Sequence, residues 1–519
     1  MGHSDRISKH VPRICKKTID FANHRFSKGG ENTLKRSLDR RKFLTAAAGL
    51  GGAMLVGPSR VALGYSANQR IGLAIIGHMY VASHFFSSIH IYDDVELVAL
   101  CNPDRRKIPE VFQTWEAQRK KLAESTGPEH SKAEVYSRLL AERPPVYSDF
   151  RKMLEAQHKQ IDALVVSMFD HYHGPACGTA MRMGKHVFCE RPLGLTIYES
   201  RQLRNLAETH KVATSIRNPG NASGQFRRGV ELIRNGVIGP VEQVHVWFDR
   251  GGPDLDKPPQ GEEPIPEGLD WDAWLGPAAW RPFHSQWMSY AFWREFSNGG
   301  VGTFGPHAAN LAFMSLNVAE LWNAKPDQPP TIKVQAECSR INRLSFPRWE
   351  VVRWHVPARG NMPPVQFTWY HGPGLSPGAR DKLLGLLAGY GIARQEGEKM
   401  LGSAGALIIG RDGAIASDDH NVKITLLPRE KFKGVATEQP EKIPPSRGHY
   451  FDWFDACRGG QLPLANFSYA APLSEFLKLA NIATQLKGPL EYNPSAGQFV
   501  GNEQANALLH YKYRDGWKM

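Results

Sequence analysis

The chain is poor in cysteine, and this shortage excludes several classes of protein. Its 519 residues include six Cys, at positions 15, 101, 177, 189, 338 and 457, and no two form a Cys-x-x-Cys pair. Zinc-ribbon and thioredoxin-like sites are therefore excluded. Five Cys follow residue 67, and an odd number argues against a disulfide framework, although one pair stays open. We expect buried free thiols and no metal site.

Other absences narrow the class further. No repeat of solenoid length is present, and Gly and Pro follow no strict period, which excludes fibrous proteins. The formal charge of +13 suggests a nucleic-acid binder, but residues 1–67 hold 13 Lys and Arg against four Asp and Glu. The body of the chain is thus only mildly basic, and we expect no nucleic-acid partner. The length and the 41% hydrophobic content favour two domains.

Residues 37–57, SLDRRKFLTAAAGLGGAMLVG, have the features of a twin-arginine export signal. Arg40-Arg41 precede a weakly apolar run, and no acidic residue occurs between Asp39 and Asp93. The run is too short for a membrane span of about 20 residues. We expect a periplasmic protein with no stable membrane anchor after signal cleavage. The alternative is a disordered basic tail beside a surface helix.

Beyond the leader, short apolar runs alternate with helical patterns, which indicates a parallel sheet. The predicted strands are Ile71–Ile76, Val95–Cys101, Ile161–Met168, His186–Glu190 and Val212–Ile216. The predicted helices span about 81–89, Gly174–Gly184 and a stretch from the capping box Thr196-x-x-Glu199 to about 211. Polar residues gather after the strand ends, where open α/β sheets bind ligands.

We divide the chain into a leader (1–67), a Rossmann dinucleotide-binding domain (68–195) and a C-terminal α/β substrate and oligomerisation domain (196–519). The final segments are expected to pack back on the first domain. A charged, irregular piece from 107 to 145 indicates a partly helical insertion. The stretch 380–398 predicts a helical insertion over the site.

The phosphate-binding turn departs from the G-x-G-x-x-G pattern. Gly77 supplies the first Gly and Ala82 an acceptable third, but Met79 stands where the second Gly lets the pyrophosphate approach the backbone. The acidic residue expected on the ribose is missing, and Asn102 and Asp104 stand nearby. A dinucleotide fold without a bound dinucleotide is the alternative.

Several segments in order resemble the glucose-fructose oxidoreductase / inositol dehydrogenase / MocA (Gfo/Idh/MocA) family. They include RIGLAIIG, VALCNPD, YSDFRKML, DHYH, GKHVFCERPL, GGVGTFGPH, GLDWDAWLGP and the terminal YRDGWKM. The resemblance spans Arg40 to Met519. It implies a Rossmann domain, then a domain with an open, mostly antiparallel sheet whose exposed face makes oligomers. It also implies hydride transfer between a sugar or polyol carbon and a nicotinamide.

Carried over position by position, the family's catalytic motifs are altered. Arg191 replaces the Lys of a Glu-Lys-Pro segment, and Thr303 replaces the Asp that precedes His307 in an Asp-x-x-x-His motif. Arg keeps its charge and cannot act as a general acid. His307, with an ordinary pKa near 6.5, is the acid/base group that remains. The catalytic prediction is therefore His307, Arg191 and Thr303, and the Arg191-Pro192 bond is predicted to be cis.

The strand ends and the resemblance together predict the binding residues. NAD or NADP contacts are assigned to Gly77, His78, Met79, Tyr80, Asn102, Asp104, Phe169, His171, His173, Glu190 and Arg191. Substrate contacts are assigned to Arg191, Trp293, Arg294 and His307. The aromatic cluster between Trp271 and Trp293 indicates a sugar-stacking surface or a core or subunit interface.

The sequence thus predicts an NAD(P)-dependent oxidoreductase that acts on a sugar or polyol, with altered active-site motifs, as a homo-oligomer. One alternative is a non-redox sugar-binding or assembly protein on the same fold. Another is a lyase or glycosidase that uses transient oxidation with a bound NAD.

Overall fold

The computed structural model describes residues 70–77, 80–324 and 330–519. The predicted export signal and the cofactor positions His78 and Met79 lie outside the described residues. The described residues build two β-sheets, one parallel and one mostly antiparallel. In this part of the chain, no helix is long and apolar enough to cross a membrane.

The first sheet has six strands in the order β3-β2-β1-β4-β5-β6, and every pair is parallel. The strands are β1 (Ile71–Gly77), β2 (Val95–Cys101), β3 (Val146–Tyr147), β4 (Ala163–Ser167), β5 (His186–Cys189) and β6 (Thr214–Ile216). Their near-continuous burial explains why the sequence shows apolar runs. Strand order reverses between β1 and β4, the point where open α/β sheets bind dinucleotides. The predicted Rossmann fold is confirmed.

Helices cover both faces of this sheet. They are α1 (Tyr80–Ser88), α2 (Ile108–Ala123), α3 (Ala133–Glu142), α4 (Phe150–Gln157), α5 (Asp170–Arg182) and α6 (Ile197–His210). The charged piece 107–145 forms α2 and α3, and the predicted capping box of Thr196 and Glu199 opens α6. Helix α5 begins four residues earlier than predicted, with Pro175 inside it. Asp170 in its first turn supplies the acidic residue that a helix N-terminus favours.

The second sheet has nine strands in the order β13-β12-β11-β7-β10-β9-β8-β14-β15. They are β7 (Val241–Phe248), β8 (Ile332–Cys338), β9 (Glu350–Val356), β10 (Val365–His371), β11 (Ala404–Gly410), β12 (Gly413–Ser417), β13 (Ile424–Leu427), β14 (Leu490–Asn493) and β15 (Gln498–Phe499). Only β7 and β10 pair in parallel, so the predicted, mostly antiparallel sheet is confirmed.

The remaining helices pack around this sheet and between the sheets. They are α7 (Gly224–Arg234), α8 (Trp271–Leu275), α9 (Gly299–Ala308), α10 (Asn310–Ser315), α11 (Ala379–Gly389), α12 (Arg394–Leu401), α13 (His449–Cys457), α14 (Phe467–Ala483) and α15 (Glu503–Asn506). Short 3-10 turns span Ile89–Ile91, Arg105–Lys107, His130–Lys132, Pro219–Ala222, Ser285–Met288, Tyr290–Phe292, Val318–Asn323 and Pro373–Leu375.

The two faces of the nine-stranded sheet bury different helices. The inner face forms the largest core with α7, α9, α10 and α14. On the outer face, Leu383, Leu387 and Leu401 of α11 and α12 pack on Trp247 and Leu407. The predicted insertion at 380–398 therefore covers the outer sheet face and not the site, which corrects that prediction. Alternating strand side chains point to opposite faces, so both faces of β7 and β11 can be apolar.

The C-terminal elements complete the cores of the first domain. Trp453 of α13 lies in one core with Phe85 and Phe188, on one face of the parallel sheet. Phe467 of α14 and Trp517 lie in the core on the other face. Among the described residues all five Cys are free and four of them are buried, as predicted.

Candidate functional site

The site is built where the carboxyl ends of the parallel strands meet the second half of the chain. Gly77 ends β1 with a φ of 98°, in the left-handed region that favours glycine. A Cβ at this position would lie 2.0 Å from the carbonyl oxygen of Ser167 at the end of β4. The turn after β1 therefore requires Gly, and it passes close to β4 at the switch point.

Glu190 and Arg191 follow β5 at the same edge. Arg191 forms an ion pair with Glu190, and Nε of Arg217, after β6, lies 3.9 Å from the other carboxylate oxygen. Burial pushes the pKa of Glu190 up, but the two guanidinium groups outweigh it and hold the pKa below its usual value. The Arg191-Pro192 peptide bond is cis, as predicted.

His307 on α9 joins this edge from the second half of the chain. Nε of Arg191 donates to Nε2 of His307 at 3.0 Å, and Nδ1 of His307 lies 3.1 Å from Oδ1 of Asn218. Because Arg191 can only donate, Nε2 is the acceptor, and the ring proton sits on Nδ1 and is donated to Asn218. The amide nitrogen of Asn218 donates to the carbonyl oxygen of Pro306 at 2.6 Å, which fits this orientation of the amide.

The environment of His307 corrects the prediction that it is a base with an ordinary pKa. The side chain is fully buried. Burial, the neighbouring His420 and the charge of Arg191 hold the pKa of His307 well below 6.5. His307 is thus neutral at neutral pH, and its one lone pair is already engaged by Arg191.

Thr303 does not take the place of the missing carboxylate. It is exposed, and its hydroxyl donates to the carbonyl oxygen of Gly299 within its own helix at 2.8 Å. Asn218 orients His307 instead. No pattern in the sequence identifies Asn218 for this role, because it lies after β6 and reaches α9 only through the packing of the two halves.

Asn102 and Asp104, assigned to the cofactor ribose, serve the turn after β2. Oδ1 of Asn102 accepts from the backbone nitrogen of Asp104 at 2.9 Å. The carboxylate of Asp104 is gripped by Arg106, with Nε at 2.6 Å and Nη2 at 2.8 Å. The second half covers this turn, since the nitrogen of Arg105 donates to the carbonyl oxygen of Gly268. The carboxylate of Asp104 is therefore already committed to Arg106.

His171 and His173, which are assigned to the cofactor site, both contact backbone carbonyl oxygens. Both are fully buried at the start of α5. His171 contacts the carbonyl oxygen of Trp274 at 3.0 Å, and burial lowers its pKa to about 4. His173 lies between the carbonyl oxygens of Pro192, at 2.9 Å, and Met168, at 3.1 Å, so it ties β4 to the Glu190-Arg191-Pro192 segment. Phe169 stacks on His171 and contacts Tyr290.

Trp293 and Arg294, assigned to substrate, also have structural partners. Trp293 is buried in the aromatic cluster, and its indole nitrogen donates to the carbonyl oxygen of Gln286. Arg294 donates to carbonyl oxygens of Asn342 and Ser345, and burial lowers its pKa to about 10. The core interpretation of the cluster is therefore confirmed for its buried members, which are Trp271, Trp274, Phe283, Trp287 and Trp293. Trp280 is 66% exposed.

Helix α14 holds the segment that follows Arg191. Nζ of the buried Lys478 donates to the carbonyl oxygen of Leu193 at 2.7 Å and to Oγ of Ser200 at 2.6 Å. Oγ of Ser474 accepts from the nitrogen of Leu193. Burial lowers the pKa of Lys478 to about 8, against the pull of Glu199. These contacts fix the backbone that presents Arg191, and no motif in the sequence indicates them.

The residues at this edge fit a nicotinamide dinucleotide in most respects. Three features support this fit. The strand order reverses at this edge, the turn at Gly77 passes close to Ser167, and Glu190 and Arg191 form an ion pair beside it. Asp104 departs from the fit, since Arg106 occupies its carboxylate. Tyr80, another predicted cofactor contact, is the first residue of α1.

Comparison with known proteins agrees with this geometry. Residues 71–217 match the model of the oxidoreductase family GFO_IDH_MocA, described as an NAD-binding Rossmann fold. Residues 71–217 thus form a Rossmann domain that is similar to the NAD-binding domain of this family. The match covers β1 to β6 and ends at Arg217.

Curated relatives align over part of their length. An uncharacterized oxidoreductase of Schizosaccharomyces pombe, C115.03, is 30% identical over 105 residues, 20% of this chain and 28% of the relative. Glycosyl hydrolase family 109 protein 1 of Shewanella sp. (strain ANA-3) is 25% identical over 226 residues, 40% of this chain and 44% of the relative. The chain thus spans less than half the length of these two relatives.

Solved structures resemble a larger share of the chain. The WlbA dehydrogenase of Bordetella pertussis, solved with NADH and UDP-GlcNAcA, has a TM-score of 0.47 and 13% identity. The match covers 81% of this chain and 98% of that protein.

Proposed function

We propose that the chain is an NAD(P)-dependent oxidoreductase of the Gfo/Idh/MocA family that acts on a sugar or polyol. One observation carries the proposal: Arg191, at the carboxyl edge of the Rossmann sheet, contacts His307, which the second half of the chain supplies. A cofactor edge and a substrate-side residue thus meet at one point. The ordered family motifs and the match over residues 71–217 support the same assignment.

The chain's own residues divide the binding task between its two halves. The turn after Gly77, the end of β4 at Ser167 and the Glu190-Arg191 pair would hold the dinucleotide, which supplies a hydride acceptor or donor when bound. Arg191 keeps its charge and a planar fork at any working pH, so it orients an oxygen of the substrate and transfers no proton. This division corresponds to a leader at 1–67, a dinucleotide-binding domain at 68–195 and a substrate domain at 196–519.

Export and assembly are part of the proposal. The twin-arginine pattern at Arg40-Arg41 supports export of the folded protein to the periplasm. A homo-oligomer would use the part of the second sheet that α11 and α12 leave uncovered, around β8 and β9. There Lys333, Glu337 and His355 are exposed.

A second candidate is a glycosidase or lyase that oxidises its substrate transiently and keeps its dinucleotide. The alignment with a relative named as a glycosyl hydrolase, over 40% of this chain, favours it. So does the loss of the usual Lys and Asp at Arg191 and Thr303, because net hydride release is not required of such an enzyme. A non-redox sugar-binding protein is the third candidate, favoured by the engaged carboxylate of Asp104.

A test for dinucleotide that the denatured protein releases distinguishes these three candidate functions. The purified protein is denatured, and the supernatant is analysed for NAD and NADP by chromatography. It is also tested for binding of each dinucleotide and for absorbance at 340 nm with D-glucose, D-glucuronate and myo-inositol. Net NADH or NADPH formation supports the oxidoreductase, and a retained dinucleotide without net turnover supports transient oxidation. Absence of any bound or binding dinucleotide contradicts both.

A further inference from the structure

A second histidine ring lies beside that of His307. His420 lies between β12 and β13, and its ring centroid is 4.5 Å from that of His307 and 5.7 Å from that of Phe304. No motif in the sequence surrounds His420. Its position comes from the second sheet, whose loop after β12 reaches the carboxyl edge of the first.

Hydrogen bonds hold the loop that carries His420 in place. Nδ2 of Asn421 donates to Oγ of Ser417 at 2.7 Å, and Oδ1 of Asn421 accepts from the nitrogen of Leu311 at 2.9 Å. Oδ1 of Asp418 accepts from the nitrogen of Val422 at 2.8 Å. These bonds tie the loop to α10 and to its own turn. His420 is therefore presented in a fixed position.

The loop also contacts the turn that follows Asn218. A Cβ on Gly220 would lie 2.3 Å from the carbonyl oxygen of His420. The residue that orients His307 and the loop that carries His420 are thus parts of one packed unit.

Asp419 orients the ring of His420. Its Oδ1 lies 2.8 Å from Nδ1 of His420. A carboxylate acceptor places the ring proton on Nδ1 and leaves the lone pair on Nε2. Within the described chain, Nε2 of His420 has no hydrogen-bond partner, and the side chain is 18% exposed. His307 is the opposite case, since it is buried and its Nε2 accepts from Arg191.

We propose that His420, oriented by Asp419, is the proton-transfer residue of this site, and that His307 is a positioning residue that holds Arg191. The inference rests on the proposed function. In the oxidation of a sugar hydroxyl, the O–H proton passes to Nε2 of His420 and the O–H bond breaks. A bound NAD(P)⁺ would take up the carbinol hydrogen with its electron pair, and a C=O bond would form.

Carbethoxylation by diethyl pyrocarbonate, followed by peptide mass spectrometry, tests the assignment without any dinucleotide or substrate. The reagent needs an accessible imidazole lone pair, so His420 should react at least ten times faster than His307. Asp419→Asn should slow the reaction of His420 several-fold, because the carboxylate holds the ring proton on Nδ1 and so keeps the reactive lone pair on Nε2. Equal reactivity of the two rings, or an unreactive His420, would overturn the assignment.

Two variants then test whether the accessible ring of His420 is needed for turnover. His420→Gln should lower NADH formation from the sugar probes at least a hundred-fold and change the NADH dissociation constant less than two-fold. His130→Gln, at an exposed position of the first domain, is the matched control and should change neither. Wild-type turnover in His420→Gln would contradict the proposal. Failure of the wild-type protein to bind NADH overturns the proposed function, and the labelling ranking still decides the role of His420.

Discussion

Arg191 donates from Nε to Nε2 of His307 at 3.0 Å, and this bond decides what both residues can do. It uses the only lone pair of a neutral imidazole whose other nitrogen donates to Asn218. Burial, His420 and the guanidinium charge all disfavour the protonated ring. Arg191 is therefore a fixed cation, and the neutral ring of His307 holds it in place. That pair differs from the acid/base couple that the family motifs imply.

Replacement of Arg191 by Lys should break this arrangement, although the charge is kept. A Lys ammonium lacks the planar fork that reaches Glu190 and His307 together. We expect a loss of about 1–3 kcal/mol of unfolding free energy, because a buried carboxylate or imidazole loses its partner. Urea unfolding measures the loss. The ¹⁵N shift of Nε2 of His307 should also move.

The matched control for that variant is Arg204→Lys. Arg204 pairs with Glu208 on the surface of α6 and also donates to Oδ1 of Asn323. Exposed ion pairs of this kind contribute at most about 1 kcal/mol. Equal stability losses in the two variants would show that the Arg191 bridge adds nothing beyond an ordinary surface pair.

The buried His171 makes stability depend on pH in a defined direction. Its folded pKa, about 4, lies below the ordinary 6.5. As the pH falls below 6.5 the unfolded chain takes up the proton first, so the stability that the neutral ring contributes is lost down to about pH 4. His171→Asn should flatten this dependence by up to about 1.4 kcal/mol per pH unit. Urea midpoints at pH 5.0, 5.5 and 6.0 measure the slope. An unchanged slope would contradict a depressed pKa.

Gly77→Ala should damage the switch-point turn. The new Cβ would lie 2.0 Å from the carbonyl oxygen of Ser167, at a φ of 98°. We expect a loss of more than about 1 kcal/mol of stability and loss of dinucleotide binding. Thermal melting and NADH titration measure the two effects. Gly385→Ala, where a Cβ meets nothing within 4 Å, should be neutral or stabilising. Similar melting temperatures for both variants would count against a strained turn.

Leu383 and Leu387 test whether α11 is a structural cover of the outer sheet face. Both side chains are buried against the strands that include Trp247 and Leu407. Leu383→Ala and Leu387→Ala should each cost about 2–5 kcal/mol. The half-buried Leu386→Ala should cost less. Urea unfolding measures the losses. Near-zero losses at Leu383 and Leu387 would mean that α11 lifts off the sheet in solution.

The first domain was predictable because its buried strands are short apolar runs with turn residues between them. Ile71–Gly77 and Val95–Cys101 differ from the predicted strands by one residue at most. The start of α5 was wrong because Pro175 tends to stand in a first helical turn, whereas this helix accepts it inside. The place of α11 and α12 was also wrong, because helical periodicity does not say which surface a helix covers.

The site was less predictable, because its key contacts join residues far apart in the chain. Position after a strand end suggested that His171 and His173 line a ligand site, and both rings prove to contact backbone carbonyl oxygens, those of Trp274 and Pro192 respectively. Arg191 and His307 were brought together as the family motifs imply. His420 was missed, since only the tertiary fold places its loop beside His307.

Titration of the protein with NADH tests the central claim most directly. Excitation of tryptophan at 280 nm should transfer energy to bound NADH, giving a saturable emission near 460 nm in the wild-type protein. The signal should be weakened at least ten-fold in Arg191→Ala and unchanged in the surface control Arg204→Lys. A wild-type protein that gives no saturable signal with NADH or NADPH would contradict the account, and so would an Arg191→Ala variant that binds as tightly as the wild type.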